Sequence, residues 1–140
     1  MFKTTNKLLR QTAAAALALL ASAALAQTRV AWDGSNWLVE DIRGRGVIDN
    51  AQTTLRIDQD GKASGSTGCN RFFGKANIAG GRLRFGPLAT TYRACPPAVA
   101  DQERKFLNAL AAARGARFDQ MGRLQIFSAS GEALLTLTKM

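Results

Sequence analysis

Gly65-Ser66-Thr67-Gly68-Cys69-Asn70-Arg71-Phe72-Phe73-Gly74 is the segment from which the architecture of this chain is most readily read. Its three glycines invite comparison with a phosphate-binding loop. The Lys-Ser/Thr that completes such a loop is missing, however, and Asn70 to Phe73 read as a strand, not as the helix those loops feed. Glycines that turn a hairpin and let two backbones approach each other fit the segment better. Cys69 has one counterpart in the chain, Cys95, inside Tyr92-Arg93-Ala94-Cys95-Pro96-Pro97. In an oxidising compartment two cysteines read first as a disulfide. Closing the intervening loop would stabilise the fold by about 3.5 kcal/mol on the chain-entropy estimate, a large share of the roughly 5–10 kcal/mol expected for such a domain. The cysteines lie too far apart in sequence for a Cys-x-x-Cys redox pair, although Cys95 precedes a helical segment that would favour a thiolate.

The start of the chain supplies the oxidising context. Lys3, Lys7 and Arg10 precede the apolar run Ala13 to Leu25, and Ala24-Leu25-Ala26 is a small-x-small cleavage site before Gln27. These parts in this order make a secretory signal peptide over residues 1–26, too short in its apolar core to serve as a membrane span. Residues 27–34 read as a flexible arm, and residues 35–140 as one compact domain, since the remaining length suits a single core. Trp32 in the arm is placed either to close the end of a small sheet or to anchor a partner. No cysteine precedes Cys69, so the reading is a soluble, periplasmic or secreted protein without a lipid anchor. Three of the chain's 19 basic residues and none of its 10 acids fall in the leader, which leaves a net charge of +6. No run exceeds two adjacent basic residues, and an exported chain meets little nucleic acid, so none is expected as a partner. Weak attraction to anionic envelope surfaces is the expectation.

Working outward, short alternating segments are separated by glycine-bearing turns. Trp37 to Ile42, Thr53 to Ile57, Lys62 to Thr67, Phe72 to Ala79 and Arg82 to Phe85 read as strands, with Asp60-Gly61 and Gly80-Gly81 as hairpin turns. Pairing between chain neighbours is expected throughout. Leu88 to Tyr92 is extended. After Cys95 the period changes: Val99, Phe106, Leu107, Leu110 and Ala113 recur at helical spacing behind Pro96-Pro97. Asp101 and Glu103 lie early, where acids suit the helix dipole, and Gly115 is placed as the stop. The helix is expected over about residues 97–113. Phe118, Leu124 to Phe127 and Leu134 to Leu137 supply closing strands. The fold class is therefore α+β, a mainly antiparallel sheet curled into a partial barrel around one helix.

Three blocks resemble the META domain family of small bacterial envelope proteins, which includes heat-shock-inducible members. They are Gly65 to Gly74 with its Gly-Cys-Asn and aromatic-glycine pattern, Leu83-Arg84-Phe85-Gly86-Pro87-Leu88-Ala89-Thr90-Thr91 followed by Ala94-Cys95, and Trp37-Leu38 together with the helix ending Phe106-Leu107-Asn108-Ala109-Leu110 and the final Leu124 and Leu134 to Leu137. The resemblance covers about residues 35–140. It implies strands wrapped round one helix, a Cys69–Cys95 bond, and Trp37, Gly68, Asn70, Gly74, Phe85, Thr90 and Thr91 as structural motif positions. It also implies envelope roles in stress response, drug tolerance, or secretion and motility, with no established enzymatic activity. Arg93 departs from the pattern, standing where an apolar residue is expected.

The rest of the chain offers little catalytic chemistry. It contains no histidine, which removes the commonest general base and metal ligand. Glu40 and Asp41 point to opposite faces of a strand, Asp58 and Asp60 flank a turn glycine without the further oxygens a calcium loop needs, and no Ser-x-x-Lys occurs in the mature chain. Asn70 reads as a buried amide satisfying turn backbone groups. No enzyme activity, cofactor or metal is expected. The leading expectation is a monomeric, non-enzymatic envelope protein that acts by binding an unidentified protein or lipid. An alternative is a lipid or peptide carrier or secretion chaperone with a cleft between helix and sheet, contacted by Phe72, Phe73, Phe85 and Phe106. A lesser one is an inhibitor of a secreted hydrolase, presenting Arg93 on a stiff loop.

Overall fold

The computed structural model describes residues 30–140; the expected signal peptide over residues 1–26 and the first residues of the expected arm lie outside the described part. Nine strands and one helix follow in order: β1 Asn36–Ile42, β2 Thr54–Ile57, β3 Lys62–Ser66, β4 Arg71–Ala79, β5 Arg82–Phe85, β6 Ala89–Thr90, α1 Pro97–Ala112, β7 Gly115–Phe118, β8 Leu124–Phe127 and β9 Ala133–Lys139. The sheet is antiparallel in every pairing and runs β3-β2-β1-β9-β8-β7-β5-β4-β6, and a further β3–β4 pairing joins its ends into a ring of pairings. The class is α+β, as the periodicities imply.

Alternation decides which side chains enter the core. On β4, Phe72 and Ala76 are buried while Arg71, Phe73, Lys75 and Asn77 face out. On β1, Trp37 and Val39 point inward, then the register against β9 shifts between Val39 and Asp41. That bulge passes the inward position to Ile42 and frees the Asp41 carboxylate to accept the Gly44 and Gly46 N–H groups at 2.6 and 2.7 Å. The helix contributes Phe106, Ala109 and Leu110, all fully buried, and Phe72 meets Phe106 edge-on with ring centroids 5.5 Å apart. Trp32 joins the same core, so the described end of the arm packs down on the domain.

Three expectations need correction. Pairing is not local throughout: β1 lies between β2 and β9, with Trp37 opposite Lys139, because the hydrophobic face of the first strand is completed by the last. Gly115 does not stop the helix. The chain leaves α1 through Ala113 in an extended conformation, and Gly115 opens β7, where a Cβ would lie 2.5 Å from the Phe127 ring. Asp101 and Glu103 fall beyond the first turn, which holds no acid. Asp101 pairs with Lys105 and Arg104 on the helix surface, and Glu103 turns toward the β3–β4 connection.

Candidate functional site

The Gly-Cys-Asn turn between β3 and β4 is bound to the segment ahead of α1. Cys69 and Cys95 form a disulfide with Cα atoms 6.0 Å apart, and there is no free cysteine. Gly68 makes the turn possible: its φ is +91°, and a Cβ there would lie 3.1 Å from the Ala51 carbonyl oxygen. Gly74 serves a different need, since a Cβ would stand 2.7 Å from both the Pro87 carbonyl and a Leu88 methyl. Its bare backbone lets residues 87–88 cross β4 and brings β6 alongside Phe72 and Phe73.

Around the disulfide the polar side chains engage one another. Asn70, 5% exposed, donates from Nδ2 to the Glu103 carboxylate at 3.0 Å and accepts at Oδ1 from the Thr91 hydroxyl at 3.2 Å. The fully buried Thr67 donates its hydroxyl proton to the same Glu103 oxygen, and its Oγ1 accepts the Asn70 and Cys69 N–H groups at 2.8 and 3.2 Å. Thr91 Oγ1 also accepts the Arg71 N–H at 3.0 Å. The two cysteine-bearing blocks and α1 are thus clasped by one covalent bond and one carboxylate. Asn70 serves side chains and not, as expected, the turn backbone; it is Thr67 that caps the turn.

A second polar group sits one residue earlier on the helix. Gln102 is buried at 6% exposure; its Oε1 accepts the Ile48 N–H at 2.7 Å, and its Nε2 donates to Ala51 O and Thr53 Oγ1, each at 3.1 Å. Neither Gln102 nor Glu103 stands out in the sequence as a site residue. The available signal was Gln102 itself, a polar residue inside the apolar helical stripe between Val99 and Phe106. Among the described residues every buried side-chain nitrogen and oxygen has a partner, and no cluster of three metal-ligating residues occurs.

The remaining motif positions divide cleanly. Trp37 is core, against Phe118 at 6.0 Å, and so is Phe85; Thr90 is exposed at the edge of β6. Phe72 and Phe106, at 1% and 0% exposure, are core residues in contact with each other. In this structure each ring fills the space the other faces. Phe73 is 55% exposed on the opposite side of β4, and Arg93 is exposed beside the disulfide, next to an almost fully exposed Tyr92. At the helix edge a surface groove of about 430 Å³ is lined by Phe85, Pro87, Leu88, Leu107 and Ala111.

The META domain family model matches residues 16–140. The chain belongs to the META domain family. Two solved structures are similar to the fold seen here. An NMR structure of a protein from Burkholderia xenovorans is 28% identical and covers 78% of this chain and 83% of its own, with a TM-score of 0.63. Another protein, also solved by NMR, is 25% identical over 76% of this chain and 89% of its own, with a TM-score of 0.57. No curated protein matches. Membership places the Gly-Cys-Asn and Thr-Thr…Ala-Cys blocks in one META domain, and the clasp shows how they are joined. A bond of this kind persists in oxidising compartments.

Proposed function

We propose that this META protein is an exported, periplasmic or secreted, non-enzymatic component of the cell envelope. It supports stress or drug tolerance, or envelope assembly, by binding, on a sheet that wraps its helix as a partial barrel. The observation that carries the reading is the clasp. Both cysteines are consumed by the disulfide, and Thr67, Asn70 and Thr91 direct their polar atoms at one Glu103 oxygen, at each other and at adjacent backbone. A general base or nucleophile needs a lone pair directed at a substrate, whereas these groups are directed inward to hold two chain segments together.

Deletion of the gene tests this. Loss of growth under heat or an apolar antibiotic, restored by the wild-type chain and only weakly by Cys69→Ser, is the expected outcome. Hydrolytic turnover by the purified protein that disappears on Glu103→Gln would overturn it.

A further inference from the structure

Five cations from successive strands β3, β4 and β5 converge on one face of the fold. Antiparallel partners project to the same side of a sheet. The register therefore places Lys62 opposite Lys75, Ser66 opposite Arg71, Asn77 opposite Arg84 and Ala79 opposite Arg82 on the outer face of β3, β4 and β5. All five cations are exposed, and none has a carboxylate within 4.0 Å among the described residues, where Arg43, Arg56, Arg104, Lys105, Arg123 and Lys139 do. The nearest acids in the chain, Asp58 and Asp60, are engaged in the turn before Lys62. Lys62 directly facing Lys75 is a like-charge cross-strand pair, which weakens a sheet. In the middle of this face stands Phe73, opposite Ser64 and 55% exposed.

A surface that accepts charge repulsion and an exposed aromatic ring gains nothing for its own stability from either. We propose that this face docks on an anionic phospholipid surface, with the cations at the phosphates and Phe73 inserted at headgroup depth. The argument is charge complementarity combined with shape. The cations are spread over three strands and stand on long flexible stems, an arrangement that suits a laterally mobile array of phosphates and needs no fixed geometry in its partner. A single protruding ring at the centre adds apolar burial to the electrostatic attraction. The inference rests on the binding role proposed above and names the partner's chemistry.

The experiment is co-sedimentation of the protein, purified from an oxidising compartment, with vesicles of phosphatidylcholine alone or of equal parts phosphatidylcholine and phosphatidylglycerol. Binding to the anionic vesicles only, weakening as salt is raised, is expected. Each cation removed should weaken it about fivefold, the equivalent of roughly 1 kcal/mol per Lys or Arg at a membrane surface. Lys75→Glu with Arg84→Glu should abolish sedimentation, and Phe73→Ser should weaken it without changing its salt dependence. Arg45→Glu, beside the helix near Lys105, should leave binding within about twofold of wild type once its two-unit change in long-range charge is allowed for. Thermal unfolding checks folding, and Lys75→Glu should not lower the midpoint because it relieves the pair with Lys62. Absence of vesicle binding, equal loss with Arg45→Glu, or retention on immobilised heparin without vesicle binding would each overturn the proposal. None of these would touch the stress phenotype of the deletion, so the two readings fail separately.

Discussion

Two regions of this ring of strands are held by different means, a hairpin end at β7 to β9 and a clasped end at β3, β4 and β6. Across β7, β8 and β9, each turn is satisfied within five residues: Asp119 accepts the Met121 and Arg123 N–H groups at 2.9 Å, and Ser128 N–H donates to Glu132 O at 2.9 Å. Around β3, β4 and β6, closure depends on partners remote in sequence. Glu103 reaches Asn70 and Thr67 across 33 and 36 positions, and the disulfide spans 26. The hairpin end is held by local turns and apolar pairs such as Leu124 opposite Leu137. The clasped end uses polar and covalent ties because its segments, rich in glycine, serine and threonine, bring few apolar side chains to the junction.

The comparison breaks most visibly at the sulfur bridge. Replacing Cys69 and Cys95 by serine should cost about 3.5 kcal/mol, read as a shift in the denaturant midpoint. Under native conditions, hydrogen exchange should rise first in β3, β4 and β6 and leave β8 and β9 protected. Uniform loss of protection across the sheet would show that the two ends do not differ in the way their ties suggest.

Glu103→Ala comes next. It strands the Asn70 amide in a largely buried site, at about 2 kcal/mol, while the Thr67 hydroxyl retains the Asn70 carbonyl as an acceptor at 3.1 Å. Because Cys69 and Asn70 are neighbours, its effect should be non-additive with loss of the disulfide, by about 0.5 kcal/mol or more in a double-mutant cycle. Paired with Leu124→Ala at the hairpin end, the disulfide variant should instead be additive. Coupling of equal size in both cycles would erase the distinction between the regions.

This difference also explains what the sequence could disclose. Strand and helix positions follow from local period: the alternation of Leu55-Arg56-Ile57 or Leu83-Arg84-Phe85 needs only its own residues to be read. Cys69 and Cys95 are legible because two cysteines in an oxidising compartment have few other uses. Glu103 is not. As an acid early in a helix it already has a sufficient local explanation, and only the three-dimensional approach of α1 to the Gly-Cys-Asn turn reveals its partners. The β1–β9 pairing shares that property, because it joins the first strand to the last and no short window of sequence contains both. The basic outer face lies within residues 62–84 and becomes visible only once the register of β3, β4 and β5 places its cations on one side.

At the hairpin end, Gly115→Ala sharpens the contrast with a smaller effect. The new methyl would crowd the Phe127 ring, which is only half-buried and lies beneath the Arg117 guanidinium at 5.0 Å. The ring can swing outward, so overpacking should cost about 1 kcal/mol. Gly68→Ala at the clasped end should cost more, because it needs both a positive φ and the movement of backbone at Ala51.

The smallest effect separates the regions by pH. Partial burial acts to raise the Asp119 carboxyl, but the hydrogen bonds from the Arg123 backbone and side chain and from Met121 N–H outweigh it and hold the group below its ordinary 3.8. A carboxylate whose folded pKa is depressed contributes stability above its unfolded pKa and loses it as pH falls through the folded value. The β7–β8 turn should therefore weaken only below about the ordinary carboxylate value of 3.8. Asp119→Asn should lower the thermal midpoint slightly at neutral pH and flatten its decline in acid. The disulfide does not titrate, so acid should loosen the β7–β8 turn while that bridge stays closed. Thermal scans from pH 7 downward, on wild type and Asp119→Asn, measure this directly; parallel acid limbs for the two proteins would remove Asp119 from the account of how the hairpin end is held.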